Sequence, residues 1–126
     1  MKALVRIVLL IGLILLIGFY SINTIRESSD TMIQYIQEVH DLIRAKDHDA
    51  ALRTSQAMFQ YWQTQSPQWE KLIDHTEVER IEISIERLLA YFEADDEQSI
   101  LPELAELRFA IEHLYRRQLL SWENIL

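Results

Sequence analysis

The chain has 126 residues, no cysteine and a formal net charge of −8. That leaves room for one modest domain beside an anchor, and it removes disulfides, thiolate metal sites, thiol catalysis and a cysteine-linked lipid anchor. Lys2 and Arg6 are the only charged residues before Arg26, and from Arg26 onward ten basic and twenty acidic residues give a net of −10, a sign that disfavours nucleic acid as a partner.

The first element is an apolar helix. Ile7 to Ile25 is an uncharged run of 19 residues, about 28 Å as a helix and close to the hydrocarbon thickness of a bilayer. Ile7, Ile11 and Leu15 lie in the apolar part, and Phe19 and Tyr20 fall where an aromatic belt sits. Lys2 and Arg6 mark the cytoplasmic side, so the run is expected to be a single-pass anchor in the cell membrane with the C-terminal domain extracytoplasmic. Cleavage by a signal peptidase needs small residues two apart, and Ile17 to Asn23 offers no such pair. The anchor is therefore expected to stay attached. Gly12 and Gly18 are six apart, which does not make the four-residue spacing of a tight helix dimer.

Both glycines lie in this run, so residues 26–126 contain none. Hairpin turns recruit glycine for positive φ, and no strand-like alternation is present, so the second unit, 26–126, is expected to be all-α. The division of the chain is then 1–25 anchor and 26–126 extracytoplasmic domain.

The next helix carries Met32, Ile33, Ile36, Val39, Leu42 and Ile43 at helical spacing. Ser28-Ser29-Asp30 reads either as its cap or as a polar turn passed by a helix continuous with the anchor. Lys46 to Asp49 is a polar break with cap residues, and a second helix is expected from about Ala50 to Gln63 with Leu52, Phe59 and Trp62 apolar. Ser66-Pro67 has the form of a helix start, followed by Trp69, Leu72 and Ile73. Thr76 and Glu79 match a capping box, so this third helix either restarts near Asp74-His75 or runs through; its stripe is Val78, Ile81, Ile85, Leu88, Leu89 and Phe92. Asp95-Asp96-Glu97 places negative charge at the start of a last helix. That helix repeats Ile100, Leu104, Leu107, Ile111 and Leu114 at bundle-seam spacing, with Pro102 expected in or near its first turn. The fold class is therefore an N-terminal transmembrane helix followed by an antiparallel up-down four-helix bundle.

Three stretches carry a family likeness: Trp69 to Glu82 (WEKLIDHTEVERIE), then Leu104-Ala105-Glu106-Leu107 with Ile111-Glu112-His113-Leu114, then Glu123-Asn124-Ile125-Leu126. With the short anchor and the length, the chain resembles the uncharacterised bacterial family catalogued as domain of unknown function 4363, over essentially its whole extent. The resemblance implies a small membrane-anchored protein of Gram-positive-type bacteria and no particular activity. The chain departs from the family pattern at Tyr115-Arg116-Arg117, where that pattern has a proline or an acidic residue. No catalytic residue carries over.

In an up-down bundle that starts at the membrane, Trp62, Trp69 and Trp122 all fall near the membrane, together with Arg116, Arg117, Ile125 and Leu126. Tryptophan and arginine suit a lipid interface, so these residues are candidates for a base that rests on lipid or on a neighbouring membrane protein. The alternative is that Trp62 and Trp69 close the bottom of the core. His75, Glu79, Glu112 and His113 are weak metal candidates, because a bundle metal site normally shows Glu-x-x-His on two helices and this chain has a single His-x-x-x-Glu and one Glu-His pair. Glu79, Glu82, Glu86 and Glu93 share a face flanked by Arg80 and Arg87, either solvated or a dock for a basic partner. No Ser-His-Asp spacing, phosphate loop, dinucleotide fingerprint or cofactor motif is present. These features point to a non-enzymatic accessory or interaction protein whose partners are membrane lipid and another membrane or envelope protein, or a second copy. The alternative is a small-ligand or ion-sensing bundle; with about six residues before the anchor, it would act through a membrane partner.

Overall fold

A computed structural model describes the backbone of residues 1–125 and the side chains of residues 1–117. Four helices follow one another: α1 Lys2–Arg44, α2 His48–Glu70, α3 His75–Glu93 and α4 Glu97–Ile125. No strand occurs among the described residues.

The apolar run and the first bundle helix are one element. α1 is 43 residues long, about 65 Å at the α-helical rise. Ser28-Ser29-Asp30 does not cap a new helix. Side-chain hydroxyls in this stretch turn back onto their own helix: Thr24 donates to the Tyr20 carbonyl at 2.9 Å, Ser28 to the Ile25 carbonyl at 3.1 Å and Thr31 to the Glu27 carbonyl at 2.9 Å. Satisfied in this way, they do not compete with the helical ladder. The expected boundary at residues 25 and 26 lies inside this continuous helix, and Ile25 is buried in the bundle.

α1 ends in a Schellman turn: Lys46 N–H donates to the Ile43 carbonyl and Asp47 N–H to the Leu42 carbonyl, both at 3.0 Å. α3 ends the same way, with Asp95 N–H on the Phe92 carbonyl at 3.2 Å and Asp96 N–H on the Tyr91 carbonyl at 2.9 Å. The turn needs a left-handed residue, usually glycine. With no glycine available, Lys46 (φ 62°) and Asp95 (φ 52°) take that conformation.

Two expected helix starts are corrected, and a third, the restart near Asp74-His75, is found with a different cap. Ser66-Pro67 is not a start, because α2 runs from His48 through it to Glu70. The start of α3 is capped by Asp74, whose carboxylate accepts from Thr76 N–H at 3.1 Å, so Thr76 lies inside the helix and its capping box does not form. α4 begins at Glu97, which leaves Pro102 beyond the first turn. Each proline removes one helical hydrogen bond. The carbonyls left over belong to Gln63 and Gln98, both exposed residues that water can reach. Burial of Trp69 just past Pro67, and of Leu104 just past Pro102, holds each helix on course.

The helices form a closed ring in which α1 packs on α2, α2 on α3, α3 on α4 and α4 on α1, while the diagonal pairs make no close approach among the described residues. The three connections are short (45–47, 71–74 and 94–96), which fixes the up-down alternation. The core runs from Ile25 and Trp69 at the base, through Trp62, Met32, Met58 and Ile81, to Phe92 and Ile100 at the far end. Each such side chain contributes roughly 1.5–3 kcal/mol of burial. The buried line of α2 is Ala51, Ser55, Met58, Trp62 and Trp69; Leu52 and Phe59, expected on that line, flank it half-buried.

Candidate functional site

The base of the bundle is where α1 leaves the apolar segment. Along that segment Ile7, Ile11, Leu15, Phe19 and Tyr20 are all more than half exposed. Among the described residues α1 is the one helix long and apolar enough to cross a membrane, and no part of its apolar window is covered by the rest of the chain. Just above it, Tyr20, Ser21 and Thr24 of α1 face Gln68, Lys71 and Leu72 at the end of α2 across a shallow crevice. The crevice joins hydroxyl, amide and ammonium groups at the level where the uncharged run ends.

Trp62 and Trp69 stand above this crevice, but not as a surface. Both are fully buried, and their rings meet edge to face with centroids 5.2 Å apart at 70°. Trp69 Nε1 donates to Ser28 Oγ at 2.7 Å, tying the end of α2 to α1. Trp62 Nε1 has no partner among the described residues. The interface role expected for these two rings is corrected: their full burial in the core leaves no ring area for lipid or a partner. The side chain of Trp122 and the terminal Leu126 lie outside the described residues. Arg116 and Arg117 are exposed on the part of α4 that returns towards the base.

The metal candidates do not converge. His75 is exposed, with Nδ1 4.0 Å from Glu70 Oε1, and His113 lies flat against Phe109 at 5.6 Å and 12°. Among the described residues no three His, Asp or Glu side chains gather in a metal-holding group. On α3, Glu79, Glu86 and Glu93 are exposed and Glu82 is half-buried; Arg80 lies 3.9 Å from Glu77. This side of α3 is a solvated face.

Two polar arrangements were not marked in the sequence. Glu103 is buried and receives Ser84 Oγ at 2.8 Å, with Arg87 Nε 3.7 Å from the same oxygen; this clamps α3 to α4. Arg108 of α4 donates to Gln37 Oε1 of α1 at 2.8 Å, and Gln37 Nε2 in turn donates to Asp41 Oδ1 at 3.0 Å. Glu103 interrupts an otherwise apolar seam next to Leu104, and that interruption was the one available signal. Nothing in the local sequence distinguishes Arg108 from the other arginines, since its partner is 71 residues away.

A family model described as Domain of unknown function (DUF4363) matches residues 19–125. No curated protein and no solved structure matches the chain.

Proposed function

The chain belongs to the DUF4363 family, and from that premise we propose that it is a membrane-anchored, extracytoplasmic accessory protein that acts by binding another membrane or envelope protein, or a second copy of itself. The matched span starts within the apolar helix at residue 19 and takes in every bundle helix, so the end of the anchor and the bundle travel together as one family unit.

The observation that carries the reading is the continuity of α1. Its first half is apolar and uncovered on every side, and its second half supplies Met32, Ile36 and Val39 to the core. A hinge would let the bundle drift from the bilayer, whereas an unbroken helix holds it at a fixed height and tilt over its neighbours. Lys2 and Arg6 before the apolar run favour a cytoplasmic N-terminus. Arg116 and Arg117 then face the head-group region, where each charge gains about 1 kcal/mol from anionic lipid. Phe109 and Ile83, large apolar side chains exposed on the bundle, are the contacts most suited to a protein partner.

The test is photo-crosslinking in cells with the probe at Phe109 or at Glu86. We expect a dominant adduct to one membrane or envelope protein, or to a second copy, from at least one position. Adducts to lipid alone from both positions would overturn the accessory role.

The second reading, a sensing bundle, is favoured by one feature: a basic groove between α1, the helix that continues into the anchor, and α4.

A further inference from the structure

We propose that the α1–α4 groove binds a small organic carboxylate, with Arg108 as the principal anion-binding residue and Arg44 as a second cation. This deepens the sensing reading of the bundle and is independent of the accessory role.

The groove is lined by Ile36, His40 and Arg44 of α1 and by Leu101, Leu104 and Arg108 of α4; it is open on one side and offers roughly 280 Å³, space for a small molecule rather than a polymer. Its charge runs against the rest of the domain. Residues from Arg26 onward carry a net of −10, yet the groove wall contains two arginines and a histidine and no carboxylate. Towards the far end of the bundle the same seam continues past Arg44 and Leu101 to Lys46 and His48. The one acid there, Glu97, is already engaged by His48 Nε2 at 2.7 Å. Asp41, beside the groove, is held by Gln37 and lies 3.3 Å from His40 Nδ1.

Arg108 supplies the second observation. Among the described residues neither Arg108 nor Arg44 is in an ion pair, unlike Arg80 and Arg87. Nη2 of Arg108 donates to a neutral carbonyl, that of Gln37, while its Nε is out of solvent with no acceptor among the described residues. A guanidinium presents Nε and Nη2 along one edge, the fork that a carboxylate takes with two parallel hydrogen bonds. Here one prong is held by a neutral amide and the other is covered and unsatisfied, an arrangement that costs free energy and that an anion relieves once Gln37 yields and the guanidinium turns its edge to the groove. Gln37 has its own second contact on Asp41, so it is not stranded when it yields the guanidinium.

The floor decides between an inorganic and an organic anion. Ile36, Leu101, Leu104 and Ala105 make most of the wall apolar, which would leave a bare phosphate without partners on that side. A carboxylate carrying a short apolar body satisfies both halves. Bound there, it bridges α4 to α1, and α1 is the helix that continues into the apolar segment.

The experiment uses the full chain in phosphatidylcholine nanodiscs with 15N-labelled arginine, titrated with benzoate and, in parallel, with benzamide and with chloride at matched ionic strength. We expect benzoate to move the Arg108 Nε–H resonance downfield in a saturable manner, with benzamide and chloride giving no saturable change. In Arg108→Gln, methyl shifts of Ile36 and Leu104 should need at least ten-fold more benzoate. Equal responses to benzoate and benzamide, or a benzoate response unchanged in Arg108→Gln, would overturn the proposal. Should that variant fail to fold, the benzoate and benzamide comparison on the natural sequence decides alone. Failure here leaves the crosslinking test of the accessory role untouched.

Discussion

Two tryptophans seven residues apart in sequence, Trp62 and Trp69, play different parts at the residue scale. Trp69 is satisfied by Ser28, whose hydroxyl also donates to the Ile25 carbonyl, while Trp62 buries an N–H with no acceptor among the described residues. A buried unpaired donor costs about 1–3 kcal/mol, and a made hydrogen bond contributes about 1 kcal/mol. Phenylalanine removes the N–H and some ring volume at either site. Trp69→Phe should therefore lower stability by about 1–3 kcal/mol more than Trp62→Phe, which loses packing but also sheds an unpaired group. Thermal melts followed by circular dichroism in nanodiscs would read the difference. Equal losses at the two sites would mean that the bond to Ser28 contributes nothing.

At the scale of the element, the helix ends show how a domain without glycine makes its turns. Schellman closure demands a left-handed residue, and Lys46 and Asp95 accept that conformation against a steric cost of about 1–2 kcal/mol. Asp tolerates it better than Lys because its short polar side chain bonds locally. Lys46→Gly should accordingly stabilise the domain by about 0.5–1 kcal/mol, the gain being reduced by the entropy of glycine in the unfolded chain. The same melts would detect it, and a loss of stability would show that the Lys46 side chain makes a compensating interaction. The three N-terminal starts are simpler: Asp47, Asp74 and Asp96 each offer a carboxylate to a nearby group of the following helix, at 3.2, 3.1 and 2.7 Å.

For the whole molecule, the ring of four helices turns one long helix into a mast. The antiparallel order places the α1–α2 and α3–α4 connections far from the apolar segment and brings α2 and α4 back towards it. With a cytoplasmic N-terminus, an exposed residue on α2 such as Gln56 lies outside the cell membrane. The chain has no cysteine of its own, so Gln56→Cys is a single reporter. It should react fully with a membrane-impermeant maleimide added to intact cells. Protection until the cells are lysed would reverse the proposed orientation.

The sequence alone determined the helical class, the apolar segment and most of the core, because each rests on a local pattern. Uncharged length specifies the first, and period-3.6 spacing of Val78, Ile81, Ile85 and Leu88 or of Ile100, Leu104, Leu107 and Ile111 specifies buried faces. The family likeness was legible too, since it depends on strings such as Trp69 to Glu82. What the tertiary structure decided is where local signals compete with contacts made at a distance. Ser66-Pro67 has the chemistry of a helix start, yet the bond from Trp69 to Ser28, 41 residues away, keeps α2 going, because burying that ring outweighs one missing backbone bond. Ser28-Ser29-Asp30 has the chemistry of a cap, yet packing of Ile25 and Met32 on either side keeps α1 whole. The basic groove belongs to the same class: Arg108 and Arg44 are ordinary in their own stretches, and only the closure of α4 onto α1 brings them to one wall.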